Sequence, residues 1–354
     1  MTLFEESLRR FSREHPAAAQ TASGTGDAGD HSPQRWDAIA AMGWFDLLTL
    51  DPGASGAPPL APIAAVLRAA GEGAWREPVG AVLGEGAVIV VHAEDAACRA
   101  SLRDGLVSGA HPVAVAAREP GDGWRRVEIR AKARRRGAMH ELDGTKIAVG
   151  GAQVAAYFAV LAMDEAGSAW FLVSRDAPGL ALDRYAGADG RPLADLRLAA
   201  TPAIRLCGGE VTPRVEAWGS ILAAAESLGI MRGANGDTTD YLRQRKQFGR
   251  PLLSFQVLQH RLVEMHMLER ETEALFHATV AAHDADSPDL ARRVLVLRAQ
   301  ASHALRHVTR EAVQMHGGMG VTAELRIGHY YRRALALDSL YGAADWALEA
   351  LAAA

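Results

Sequence analysis

From Arg214 onward apolar residues recur with a 3.6-residue period over four long stretches, 214–247, 255–284, 288–316 and 327–352. No other feature limits the fold as much. Helices of this length with one apolar stripe must bury it, and long antiparallel helices joined by short links make a bundle. The breaks carry suitable chemistry: Gly249-Arg250-Pro251, Ser287-Pro288 and Gly317-Gly318-Met319-Gly320. Between about 107 and 207 the texture is different. Short runs at Val113–Ala117, Val127–Ala131, Tyr157–Met163 and Ala169–Val173 lie between Gly, Asp and Pro turns and predict a β domain. Asp143-Gly144 is a hairpin signal within it, and Ala177-Pro178-Gly179 a second turn. Ahead of these, helical runs at Thr2–His15, Arg35–Leu48 and Ala61–Ala70 are separated by Gly/Pro/Ser clusters, and the Gly/Ala/Ser/Asp-rich stretch 17–32 reads as a loop. The expected fold class is α+β, with an N-terminal helical domain (1–105), a middle β domain (106–208) and a C-terminal four-helix bundle (209–354).

A chain of 354 residues, 49% hydrophobic, can bury the cores of several packed units. Its formal charge of -4 is unlike the basic stripe that a phosphate backbone demands, so nucleic acid is not an expected partner. Cys98 and Cys207 are far apart and have no metal-ligand spacing, which fits a reducing compartment. The histidines, including His260, His266, His303, His307 and His316, do not combine with acids into a metal site. The N-terminus lacks the order of a signal peptide, and no apolar stretch nears the roughly 20 residues that cross a bilayer. A cytoplasmic protein with no membrane partner is expected.

Two strings carry specific chemistry. The first is Arg245-Lys246-Gln247-Phe248-Gly249-Arg250-Pro251-Leu252 followed by Phe255-Gln256, and the second is Gln314-Met315-His316-Gly317-Gly318-Met319-Gly320. Arg245 at the end of a long helix offers a planar fork of donors suited to a diphosphate. Gln314 offers an amide to a ribose or adenine, while Gly317 and Gly318 leave backbone N–H groups open to close approach. Taken singly, the Arg reads equally as a solvated helix-end charge and the Gly pair as a helix cap.

Together these strings, in this order of domains, resemble the R-x-x-F-G-x-P-L…F-Q and Q-x-x-G-G-x-G segments of acyl-CoA dehydrogenases, over the chain from about Arg35. The resemblance implies FAD as cofactor, an acyl-CoA thioester as substrate and an electron-transferring flavoprotein as electron acceptor. In the resembling enzymes FAD lies across a dimer interface. One subunit's β domain holds the isoalloxazine, and its neighbour's bundle holds the adenosine diphosphate end. Arg245, Phe248, Gln256, Gln314, Gly317 and Gly318 are the cofactor-binding positions that carry over.

The β domain departs from the family. Where T-E-P-x-x-G-S-D is usual, this chain has Arg118-Glu119-Pro120-Gly121-Asp122-Gly123. Where G-x-K-x-W-I-T-N is usual, it has Gly144-Thr145-Lys146-Ile147-Ala148-Val149-Gly150-Gly151. Ala148 replaces the Trp and Gly150 the Thr, so neither an aromatic plane nor a hydroxyl is supplied to the flavin ring. The family's base is a Glu that takes the α-proton while hydride leaves Cβ. Its two usual positions fall on Tyr341 and Gly219, neither of which can serve, so no catalytic residue is assigned to this chain. Glu216 lies one turn before Gly219 and Glu324 just past the Gly-rich turn, and both read as solvated charges. These losses fall on one half of a composite site. They match the shorter, base-lacking subunit of α2β2 actinobacterial dehydrogenases acting on steroid side-chain CoA thioesters, whose partner is a homologous subunit carrying the catalytic Glu. A self-sufficient homo-oligomer with a relocated base and a non-catalytic scaffold remain as alternatives.

Overall fold

The computed structural model describes residues 3–15, 33–49, 58–123, 128–322, 324–340 and 344–353. The predicted loop 17–32 and Tyr341-Gly342 lie outside the described residues. Among the described residues six helices come first: α1 (Leu3–Glu14), α2 (Pro33–Ala41), α3 (Leu60–Glu72), α4 (Gly80–Leu83), α5 (Glu85–Val91) and α6 (Ala96–Val107). The predicted run Arg35–Leu48 is broken, because Gly43 turns the backbone to φ +69° and the chain resumes as a 3-10 helix over Trp44–Thr49.

Seven strands follow: β1 (Val113–Ala116), β2 (Lys132–Arg136), β3 (Met139–Gly150), β4 (Tyr157–Asp164), β5 (Gly167–Ser174), β6 (Leu180–Ala186) and β7 (Pro192–Gly208). They hydrogen-bond in the order β1-β4-β2-β3-β7-β5, with β6 on β7, and a further β4–β5 pairing closes β4, β2, β3, β7 and β5 into a ring. Leu142, Phe158, Val160, Phe171, Val173 and Leu196 fill the interior. The ring is narrowest between β2 and β4, which meet at a single pair, Lys132 with Met163.

Two details of the predicted sheet are corrected. The stretch Val127–Ala131 does not form a strand in its described part, 128–131, and the strand begins only at Lys132. The amides of Arg130 and Ala131 donate instead to the Glu119 carboxylate at 2.8 and 3.0 Å, so a side chain takes the bonds a ladder would need. Asp143-Gly144 is not a hairpin turn either. The turn joining β2 to β3 lies at Gly137-Ala138, between the paired Arg136 and Met139. Gly144 sits in mid-strand at a register shift, with φ +148°, and a Cβ there would come within 2.8 Å of Ala131. The Asp143 carboxylate accepts from the Ala200 amide at 2.9 Å, and so satisfies backbone that the bulge frees.

The remaining helices are α7 (Thr212–Gln244), α8 (Gln256–Asp284), α9 (Leu290–His316), α10 (Arg326–Leu340) and α11 (Ala344–Ala352). Between α7 and α8 a two-residue pair, β8 (Lys246–Gln247) and β9 (Arg250–Pro251), forms a hairpin. The chain divides into two compact units, residues 1–25, 60–76 and 220–354 in the first, and 26–59 and 77–219 in the second. In the first unit α3 packs on α7 at close backbone approach. A Cβ on Gly71 would lie 2.2 Å from the Glu226 carbonyl oxygen, and one on Gly229 would lie 1.9 Å from that of Arg68. Both glycines are required by this crossing. A bidentate pair, Arg333 to Glu226 at 2.8 Å through each nitrogen, joins α10 to α7 nearby. In the second unit the indole N–H groups of two buried tryptophans are satisfied, Trp170 on the Thr212 hydroxyl (3.2 Å) and Trp218 on the Leu83 carbonyl (3.0 Å).

Candidate functional site

The bundle-side residues sit at two corners of the first unit. At the end of α7 the Arg245 amide donates to the Tyr241 carbonyl (2.8 Å), and the Leu252 amide donates back to the Arg245 carbonyl (2.8 Å). These bonds fix the root of the hairpin. Its tip is Phe248-Gly249, with φ of +52° and +78°, the two successive positive values that a tight hairpin turn requires. Phe248 is 90% exposed. The Arg250 guanidinium lies 4.1 Å over the Phe255 ring, which stiffens the return to α8, and Gln256 opens that helix facing solvent. Arg245 is exposed and its guanidinium makes no hydrogen bond or ion pair among the described residues, whereas its neighbour Arg243 pairs with Asp240 at 2.8 Å.

The second corner is the end of α9. Gln314 is exposed, Gly317 ends the helix at φ +60°, and a Cβ on Gly317 or Gly318 would meet nothing within 4 Å. The buried His316 ring donates from Nδ1 to the Ala312 carbonyl at 2.8 Å, and burial lowers its pKa. The Tyr241 ring stacks on it with centroids 4.3 Å apart, and the Tyr241 hydroxyl donates to the His316 carbonyl at 3.4 Å. Arg245, Phe248 and Gln256 are therefore gathered by one hairpin, and Gln314, Gly317 and Gly318 by one helix end. Tyr241, a single turn before Arg245, joins the two. Sequence reading passed over Tyr241, although its i, i+4 relation to Arg245 was available.

In the second unit the loop after β1 is built around Glu119. Its carboxylate, 2% exposed, meets the fully buried Lys146 ammonium at 2.5 Å as well as the two amides already described. Burial alone would raise the Glu119 pKa, but the hydrogen bonds from Lys146 and Ala131 and the Lys146 charge bring it below the usual range. At the next segment Ala148 takes φ +54°, and its amide donates to Asp195 (3.0 Å), which also accepts from the Tyr185 hydroxyl (2.9 Å). Burial, with the Asp195 hydrogen bond behind it, raises the Tyr185 pKa. Position 148 thus has no ring and its amide is already bonded, while Gly150 is exposed and bears no hydroxyl.

Tested against FAD, the two halves differ. The unpartnered guanidinium and the uncrowded backbone at Gly317 and Gly318 fit a diphosphate, although the Gly317 amide already donates to the Gln314 carbonyl; the 148–150 segment does not fit an isoalloxazine. Glu216 on α7 and Glu324 in the bend before α10 are both exposed, and Gly219 is buried within α7. Among the described residues there is no cluster of His, Cys, Asp or Glu that could hold a metal ion, and no helix is long and apolar enough to cross a membrane.

A helical N-terminal region, a middle sheet domain and a C-terminal bundle are together the acyl-CoA dehydrogenase fold. Residues 215–354 match the model of the acyl-CoA dehydrogenase C-terminal domain. Among curated relatives, the acyl-CoA dehydrogenase IpdE2 of Mycolicibacterium smegmatis is 38% identical over 123 residues, which is 35% of this chain and 38% of that protein. IpdE2 of Mycobacterium tuberculosis is 35% identical over 122 residues, 34% of this chain and 36% of its own length. The matched stretch thus spans little more than a third of either relative. Among solved structures, the Tcur3481-Tcur3483 steroid ACAD G363A variant superposes with a TM-score of 0.86 at 27% identity, over 99% of this chain and 95% of that one. A chain of the ChsE4-ChsE5 complex from Mycobacterium tuberculosis shares the fold with a TM-score of 0.82 at 22% identity, over 99% and 97%.

Proposed function

We propose that this chain is a base-lacking subunit of a heteromeric, FAD-dependent acyl-CoA dehydrogenase, and that it lends the adenosine diphosphate half of a FAD site to a homologous partner bearing the catalytic Glu. The observation that carries this reading is the contrast between an intact bundle half and a sheet half without its ring-side groups. Arg245 binds the diphosphate through its guanidinium, the uncrowded backbone at Gly317 and Gly318 lets it approach closely, and Gln314 orients the ribose or adenine. Phe248 and Gln256 border the same nucleotide. When bound, FAD supplies the hydride acceptor for α,β-dehydrogenation of the thioester. The proton at Cα then goes to the partner's carboxylate, because Gly219 has no side chain and a Tyr at 341, with an unperturbed pKa of about 10, is a weak base near neutrality.

The likeness to the Tcur3481-Tcur3483 steroid ACAD structure supports a steroid-derived acyl-CoA as substrate and an assembly with a second component, and the α2β2 form follows from the family resemblance. An electron-transferring flavoprotein as acceptor follows from the family resemblance, and a cytoplasmic location from the reducing compartment that Cys98 and Cys207 fit. Co-expression with a longer homologue that retains the T-E-P-x-x-G-S-D, W-I-T-N and Glu motifs tests the assembly. The expected result is a stable complex of two chains each by native mass spectrometry. A lone chain that oligomerises and oxidises acyl-CoA without any homologue would overturn the reading in favour of a relocated base.

A further inference from the structure

One stripe of α7, read at i, i+4 spacing, consists of Gly233, Asp237 and Tyr241, and the same spacing reaches Arg245 just past the helix end. Its members engage the chain on both sides of the glycine turn, which is a 3-10 helix over Gly317–Val321. On the entry side Tyr241 stacks on His316 and its hydroxyl donates to the His316 carbonyl, one of the carbonyls that a helix end leaves without an intrahelical partner. On the exit side Asp237 accepts from Arg326, the first residue of α10, at 2.7 Å. One turn further back, the absence of a side chain at Gly233 admits the buried Tyr330 hydroxyl, which would lie 2.4 Å from a Cβ there and which donates to the Glu72 carbonyl at 2.6 Å.

The turn needs such support. Glycine is the residue least committed to one backbone conformation, and Gly317, Gly318 and Gly320 make up three of its five residues. Its local bonds include the Gly317 amide to the Gln314 carbonyl at its start and, at its end, the Thr322 amide and hydroxyl to the Met319 carbonyl at 3.3 and 3.0 Å. Side chains that grip the turn from outside stand on α7, the helix that leads into Arg245.

We propose that Asp237 and Tyr241 are positioning residues that hold the glycine turn in fixed register with Arg245, so that the two phosphate-facing elements form one preset nucleotide half-site. The inference rests on the reading above that Arg245 and the turn bind the FAD diphosphate. Asp237 also sits in a setting that does not favour its charge. Burial raises its pKa even with the Arg326 guanidinium beside it, as at sites kept for a role other than stability.

The test uses Tyr241→Phe, which keeps the ring and removes the hydroxyl, and Asp237→Asn, with Asp237→Glu as the restoring change and Arg245→Ala as reference. FAD affinity is measured by titrating the apoprotein of the assembly the chain forms, and hydrogen exchange is followed at the amides of 317–322. Each of the first two variants should weaken FAD binding by about threefold to tenfold, the worth of one net hydrogen bond. Both should speed exchange at the turn without changing native mass, and Asp237→Glu should recover most of the affinity. If Tyr241→Phe and Asp237→Asn leave FAD affinity unchanged while Arg245→Ala lowers it, the positioning proposal fails alone. Unchanged affinity in Arg245→Ala as well would remove the reading on which it rests. A loss of affinity that tracks a lower melting temperature, with no recovery in Asp237→Glu, would show the cluster to be ordinary packing and also overturn the proposal.

Discussion

Replacing Glu119 by Ala should be among the most damaging single changes in the sheet-bearing unit. The Lys146 ammonium is fully buried and pairs with the Glu119 carboxylate at 2.5 Å, so the variant would strand a charge in the sheet interior. Breaking a buried pair from one side costs about 3–5 kcal/mol. The same carboxylate accepts from the Arg130 and Ala131 amides, and leaving those donors unmet adds about 1–3 kcal/mol unless water reaches them. Losses of this size approach the whole stability of a typical domain, so Glu119→Ala should lie near the limit of folding. The double variant Glu119→Gln, Lys146→Met removes both charges and keeps an acceptor for the amides, so it should recover much of the loss. The pair also has a pH signature. The Glu119 pKa is lower in the folded protein than in the unfolded chain, so its contribution is complete above the unfolded value and fades as pH falls through the folded one. Chemical denaturation of wild type, Glu119→Ala and the double variant, repeated at neutral and acid pH, measures these quantities. Wild-type-like stability for Glu119→Ala would refute the reasoning, since Lys146 would then have another means of shedding or sharing its charge.

Arg245→Ala should weaken FAD binding in the assembled complex by about 10- to 150-fold, the worth of a charge-assisted fork of roughly 1.5–3 kcal/mol, as read by flavin titration. Glu216→Gln and Glu324→Gln should each leave acyl-CoA oxidation within several-fold of wild type, because loss of a true general base costs about 10²–10⁴ in rate once flavin content is matched. Glu273 tests the bundle's acid sensitivity. Burial opposes its ionisation, but hydrogen bonds from Arg68 and Arg270 prevail and bring its pKa down to about 2. From an unfolded value near 4.5 this is worth about 3 kcal/mol, fully present above the unfolded value and lost as pH falls toward the folded one. Arg68→Ala, which removes the 2.5 Å partner, should shift that acid transition to higher pH.

The bundle was legible in the sequence because its signal is long and local. The stripes of α7, α8 and α9 run for 33, 29 and 27 residues, and their ends coincide with Gly, Pro and Ser breaks. The start of β2 was not legible, since what keeps 130–131 out of the ladder is Glu119, 11 and 12 residues upstream. Asp143-Gly144 misled for a related reason. The dipeptide that closes a hairpin also suits a bulge, and only the approach of Ala131 and Ala200 decides between them. The short helices α4, α5 and α6 carry too few turns for periodicity to register. At the candidate site the motif positions were named from the resemblance that the two strings carry. The grip of Tyr241 and Asp237 on residues 75 and 89 positions further along the chain appears only once α7, α9 and α10 are brought together.

The central claim, that this chain supplies half of a FAD site and relies on a partner for the other half, is tested most directly by the flavin content of the purified protein. The visible spectrum and FAD-to-protein ratio are compared for the chain expressed alone and with its longer homologue. The account predicts an almost colourless lone chain, because Ala148 and Gly150 offer nothing to the ring, and a yellow complex with less than one FAD per chain. A lone chain carrying one FAD per polypeptide would contradict it.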